Sequence, residues 1–180
     1  MLIQELTKEA SLDLLAQTSL GRIACAQGAQ PYVVPFYFIY DNDYLYSFTT
    51  VGQKIEWMRA NPLVCVETDE LVSSPHWVSI VVFGVYEELP DTPTCRWERG
   101  YAQYLLQKRS MWWEPGLAKT ILHGIQRPLV PVFYRIRVVQ ISGHRASPEP
   151  AKLPDTKLSR TDSGENGWLQ KLLRQVRGRH

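Results

Sequence analysis

Two hydroxyls, a glycine and a lysine stand together in Thr49-Thr50-Val51-Gly52-Gln53-Lys54, where a strand-like pattern gives way to a helical one. Hydroxyl donors, the free N–H groups of a helix N-terminus and an ammonium are what a dianionic phosphate needs. The same residues also fit an ordinary Thr N-cap followed by a solvated lysine. The spacing is not that of a P-loop, which requires Gly-x-x-x-x-Gly-Lys-Ser/Thr. A second unusual segment is Trp112-Trp113-Glu114-Pro115-Gly116. Paired tryptophans beside a Pro-Gly break cannot both be buried in a regular element, so Trp112 and Trp113 either cover a flat ligand or anchor a core or subunit interface.

Other chemistries find no support. There is no Gly-x-Ser-x-Gly elbow, and Ser79, Ser110 and Ser142 have no His or carboxylate in a recognisable arrangement, which argues against a nucleophilic hydrolase. The three cysteines (Cys25, Cys65, Cys95) form no Cys-x-x-Cys, and no two of the four histidines (His76, His123, His144, His180) stand at i, i+4, so no metal site is expected. Scattered, odd-numbered cysteines read as reduced thiols in a cytoplasmic protein. Glu67, Asp69 and Glu70 read as a solvated turn at a strand end.

The elements that must position these residues come from 180 residues, 44% of them apolar and 21% charged, enough for one core of ordinary size. With 20 Lys and Arg against 18 Asp and Glu, the formal charge of +2 is far below that of a dedicated nucleic-acid binder. No apolar run reaches the length of about 18 residues that a spanning helix needs, and Glu5 and Glu9 contradict a secretory leader. The final stretch differs from the rest: residues 146–180 hold 7 of the basic and 4 of the acidic side chains, a net +3. This places a boundary at 145/146, with a body over 1–145 and, over 146–180, a Pro-rich linker (Pro148, Pro150, Pro154) followed by a basic amphipathic helix. The apolar stripe of that helix is Trp168, Leu169, Leu172, Leu173 and Val176.

In the body, a helix is predicted over 6–17 with Thr7 as cap and Gly21 as terminator. Strands are predicted over 22–26, 32–40, 44–49, 63–68, 77–89 and 130–142, from their β-branched and aromatic content. Asp41-Asn42-Asp43 reads as a tight hairpin turn, because Asn and Asp tolerate positive φ. Pro35 should mark an edge, a bulge or a place where a ligand meets the backbone. Further helices are expected over 51–60, 94–109 and 117–123. Six antiparallel strands with inserted rather than alternating helices predict an α+β, mainly β fold, a small barrel and not a Rossmann sheet.

An ordered series of motifs then carries a resemblance. Gly21-Arg22-Ile23-Ala24, Pro31-Tyr32-Val33-Val34-Pro35, Gly52-Gln53-Lys54-Ile55-Glu56 and Arg59-Ala60-Asn61-Pro62-Leu63-Val64-Cys65 come first. Trp77 to Gly84, the Trp112-Trp113 segment, Tyr134-Arg135-Ile136 and Ser142-Gly143 follow. Over about residues 3–145 the chain resembles the pyridoxamine 5′-phosphate oxidase-like family of FMN-binding split β-barrels, in the branch with nitroimidazole-resistance proteins. The resemblance implies a homodimer with an FMN at each subunit interface. It implies that Val34, Pro35, Phe36 and Tyr37 line the isoalloxazine, that Thr49, Thr50 and Lys54 hold the phosphate, and that Ser79 and Trp77 contact the ring. It also implies that the chemistry is the flavin's, with no single catalytic side chain.

Two departures from the family pattern narrow the activity. Pro35, Phe36, Ile80 and Val81 stand where the oxidases proper carry basic residues, and Phe48 stands where nitroimidazole-resistance proteins commonly carry a His. The leading expectation is an FMN-dependent oxidoreductase reducing a small planar or electron-poor substrate. The alternatives are a flavin- or haem-binding module without turnover, with His144 or His123 as haem ligand, and an adaptor whose basic tail binds an anionic surface.

Overall fold

The computed structural model describes residues 1–110, 114, 121–122, 125–126 and 130–149. Among them the element order is β1 (Leu2–Glu5), α1 (Lys8–Gln17), β2 (Leu20–Gln27), β3 (Gln30–Tyr37), β4 (Ile39–Asp41), β5 (Tyr44–Thr50), α2 (Gln53–Ala60), β6 (Leu63–Ser73) and β7 (His76–Glu88). A 3-10 turn at Pro93–Cys95 leads into α3 (Arg96–Leu106), followed by the two-residue strands β8 (Ile121–Leu122) and β9 (Ile125–Gln126) and by β10 (Pro131–Ser147). The chain is thus mainly antiparallel sheet with three helices among the described residues, an α+β arrangement.

The principal sheet has eight strands in the order β3-β2-β6-β7-β10-β5-β4, with β1 added along β10, in place of the six expected. Two features account for the difference. Leu2–Glu5 pairs with His144–Ser147 although its side chains are exposed, so it is held by backbone bonds that leave no hydrophobic alternation to read. The strand predicted over 32–40 breaks at Phe38, whose N–H bonds to Ser19 O at 3.0 Å instead of to a sheet partner. That break brings β3 and β4, the two ends of the sheet path, within one residue of each other. The hairpin between β4 and β5 turns through Asn42 (φ 46) and Asp43 (φ 64), the left-handed conformations these residue types tolerate.

Helix α1 begins as expected, with Thr7 Oγ1 accepting from Ala10 N at 3.2 Å. It stops at Gln17, however, and Gly21 lies inside β2. A Cβ there would meet Glu67 O at 2.8 Å and the Phe38 ring at 3.1 Å, so the glycine serves close approach between strands and not helix termination. The helix expected over 117–123 is corrected in part, since Ile121–Leu122 pairs with Ile125–Gln126 as strand. The β-branched Ile121 and Ile125 favour extended backbone over so short a stretch. β10 continues through Ala146, which is 2% exposed, and the compact unit runs to Glu149, four residues past the compositional boundary.

Two apolar clusters hold the sheet. The larger contains Ile23, Phe36, Phe38, Leu45, Val66, Val82, Tyr134 and Ile136, with Leu15 from α1 and Ile55 and Met58 from α2 packed into it. The i, i+3 spacing of Ile55 and Met58 puts both on one face of α2, and burying each contributes about 1.5–3 kcal/mol. The smaller cluster joins Ala102, Leu105 and Leu106 of α3 to Tyr46, Phe48 and Phe133. β5 is therefore buried on both sides at Leu45 to Phe48, which fixes the strand that carries half of the site described next.

Candidate functional site

A cleft of about 530 Å³ opens between β3, β5 and the start of α2. Its apolar wall is Leu20, Pro35, Phe36, Tyr37 and Phe48, and its polar groups are Ser47, Thr49, Lys54 and Glu114. Among the described residues β3 pairs with β2 alone, so one side of its backbone carries N–H and C=O groups that no described strand takes. Pro35, paired with Arg22, sits on this edge, where a missing N–H leaves no gap in a ladder. Ser47 Oγ donates to Tyr37 O at 2.8 Å and ties the end of β3 to β5 across the cleft.

Lys54 lies in the first turn of α2 and is half-buried. Among the described residues its ammonium has no ion pair and no hydrogen bond. Burial lowers its pKa to about 8, opposed by the neighbouring Cys25 thiol. The Cys25 thiol is itself pushed up, first by its own burial. A charge removed from water and left unpaired is costly, so a cleft that holds one is suited to an anion. The N-cap of α2 is Gly52, without a side-chain bond to the helix, so Thr49 and Thr50 do not cap it. They are the last residues of β5, and the plain Thr-cap alternative is thereby set aside.

A second buried polar group lies nearby. The hydroxyl of Tyr134 is fully buried, and Tyr134 stands directly across from Ser47, whose hydroxyl it faces, in the β10–β5 register. Burial pushes its pKa far up, so it stays a neutral phenol. Arg59 of α2 makes two 2.7 Å bonds to Glu88, which also accepts from the Tyr86 hydroxyl at 2.9 Å. This bridge pins α2, and with it Lys54, to β7.

The structure brings Pro35, Phe36, Tyr37, Thr49 and Lys54 into one cleft. Val34 is packed against the core instead, and Thr50 pairs with Pro131 without lining the cleft. Trp77 and Ser79 lie on β7, opposite Ala146 and His144 of β10. Trp77 lines a separate pocket of about 260 Å³ with His76 and Arg145. Trp112 and Trp113 lie outside the described residues, as does His123, whereas His144 is exposed and not part of the cleft. Leu20 and Ser47 were not anticipated, and Phe48 and Glu114 were noted without being assigned to the site. Of the first two only Ser47 carries a signal, a small hydroxyl within a run of bulky strand residues that is 2% exposed. A flavin fits what is present: an unpaired ammonium and a hydroxyl for its phosphate, an apolar wall and a free strand edge for its ring.

Comparison with known proteins agrees. The family model described as pyridoxamine 5′-phosphate oxidase matches residues 7–145. An uncharacterised protein of Rhizobium meliloti strain 1021 is 37% identical over 146 residues, covering 81% of this chain and 97% of that protein. A crystal structure of a FAD-binding protein from Mesorhizobium loti is 43% identical, with TM-score 0.67, over 82% of this chain and 100% of that one. A candidate 5-nitroimidazole antibiotic resistance protein from Bacteroides thetaiotaomicron shares the fold at TM-score 0.57 and 19% identity, over 81% of this chain and 89% of that one.

Proposed function

The chain belongs to the pyridoxamine 5′-phosphate oxidase family, and from that premise we propose that it is a flavin-dependent oxidoreductase acting on a small planar or electron-poor substrate. The observation that carries this reading is Lys54, a half-buried ammonium without a partner among the described residues, set in a cleft with an apolar aromatic wall. Lys54 and Thr49 hold the flavin 5′-phosphate, and Pro35, Phe36 and Tyr37 orient the ring and keep water from one of its faces. A flavin bound there supplies hydride or single-electron transfer. The side chains of this cleft supply orientation and charge, and none of them is needed as a nucleophile.

FMN is the smallest ligand with both the ring and the phosphate. The FAD named for the 43% identical Mesorhizobium protein favours FAD, whose FMN half makes the same contacts. The test is the visible spectrum of the protein purified without added cofactor, with chromatography of the flavin released on denaturation. Absence of flavin bands, with no flavin taken up on titration, refutes the reading.

The reading includes a homodimer with a split-barrel architecture. The row Val33, Ala24, Cys65, Phe83 runs directly across β3, β2, β6 and β7 on one sheet face, with Val33 57% and Phe83 50% exposed. Leu63, Leu71 and Val72 add exposed apolar surface on β6. These exposed apolar residues, which flank the Arg22 ion pairs with Glu67 and Asp69, support a second copy as their cover. In that dimer Trp77 and Ser79 serve the site of the other subunit. Light scattering at micromolar concentration tests it, and a stable flavin-loaded monomer refutes it. Cys25, Cys65 and Cys95 are free thiols, which supports a reducing compartment, and no helix among the described residues is long and apolar enough to cross a membrane.

A further inference from the structure

We propose that Arg109 is a second anion anchor of the cleft, binding an anionic group of the ligand other than the flavin 5′-phosphate. The proposal rests on the flavin reading above and adds a residue that neither the sequence pattern nor the cleft lining singles out. The guanidinium carbon of Arg109 lies 3.4 Å from the centroid of the Tyr37 ring, and Tyr37 is part of the cleft wall. Tyr37 is itself fixed, because its carbonyl accepts from Ser47 Oγ at 2.8 Å. Arg109 follows α3 in a tight turn, its N–H bonded to Leu106 O at 3.0 Å.

Three described arginines stack on aromatic rings, and two of them spend their donors within the chain. Arg99, over Phe133, donates to Leu89 O at 2.9 Å, and Arg135, over Tyr44, donates to Glu87 at 2.8 Å. Arg22, Arg59 and Arg137 are held in ion pairs with Glu67 and Asp69, with Glu88, and with Glu87. Arg109 has the stack alone, with no hydrogen bond from its guanidinium and no ion pair among the described residues, although the Glu114 carboxylate also lines the cleft. Its place after the C-terminus of α3 suits a positive charge. The helix end does not explain why the guanidinium lies over a ring of the cleft wall. Stacking orients the planar fork while leaving all five N–H donors free, and such a fork matches the paired oxygens of a phosphate or carboxylate. The shared chemistry is therefore a second oxyanion. It comes either from the distal phosphate of FAD or from a phosphate-bearing nicotinamide reductant.

The test titrates apoprotein with FMN and with FAD by quenching of flavin fluorescence, for wild type, Arg109→Gln and Arg109→Lys. Thermal midpoints are recorded to show that each variant is folded. The reduction of bound flavin by NADPH is then followed anaerobically against NADPH concentration. In Arg109→Gln, FMN affinity should stay within threefold of wild type. Loss of tenfold or more in FAD affinity supports the proposal with the cofactor as source. A tenfold rise in the apparent dissociation constant for NADPH at an unchanged limiting rate supports it with the reductant as source. Arg109→Lys keeps the charge and loses the fork, so it should recover only part of either effect. The proposal is overturned if neither quantity moves, or if FMN and FAD weaken equally. A wild-type protein that takes up no flavin removes the premise as well, and that result is distinct because it appears before any substitution.

Discussion

Replacing Lys54 by methionine should make the cofactor-free protein more stable and the holoprotein harder to form. The substitution keeps the unbranched stem beside Ile55 and removes the ammonium. In the folded chain Lys54 titrates at about 8 against an ordinary value of 10.5. This gap corresponds to about 3 kcal/mol of strain on the charged form. Since the folded pKa lies below the unfolded one, the folded state binds fewer protons. The penalty is therefore fully present below pH 8 and is relieved as pH rises from about 8 towards 10.5. At pH 7 the apo variant should gain up to about 3 kcal/mol, or roughly 6–12 °C in thermal midpoint for a domain of this size. At pH 10.5 and above the gain should vanish.

Binding moves the opposite way. A charged hydrogen bond to phosphate contributes about 1.5–3 kcal/mol, so FMN affinity should fall roughly ten- to a hundredfold while riboflavin affinity stays unchanged. In the wild type, affinity should be flat from pH 7 to 8 and then decline about tenfold per pH unit, because above pH 8 the ligand must first recruit a proton to Lys54. The variant should lose that decline. Fluorescence titration at several pH values and scanning calorimetry of the apoprotein read both effects. An apo variant no more stable than wild type at pH 7, together with unchanged FMN affinity, would refute the placement of phosphate at Lys54.

The Arg59 bond holds the Glu88 carboxyl below its usual range, so its contribution is present above the ordinary glutamate pKa and is lost as pH falls below that value through the lowered folded one. Glu88→Gln should flatten the acid limb of the stability curve by less than about 1 kcal/mol, since the Arg59 side chain is 44% exposed. Ending the chain after Glu149 should leave the flavin bound, because every cleft residue lies upstream, and flavin content per chain decides it.

The hairpin turn at Asn42 and Asp43, the Thr7 cap of α1, the α2 segment ending at Asn61 and the edge character of Pro35 were all legible in the sequence. Each depends on a preference of the local backbone, which neighbouring residues are enough to express. The Gly52–Lys54 segment was legible for the same reason, as a strand handing over to a helix. The path of the sheet was not. The break at Phe38 depends on a hydrogen bond to Ser19, and β1 depends on backbone bonds to the end of β10, partners far away in sequence. Nor did the motif pattern separate Thr49 in the cleft from Thr50 beside it. Adjacent strand residues face opposite sides, and only the closed packing of β3 and β5 decides which side becomes the cleft. Lys54 was identified by its type, but its lowered pKa is a tertiary property. It arises because α2 is pinned to β7 through Arg59 and Glu88 and carries the ammonium to the edge of a core where, among the described residues, it makes no ion pair.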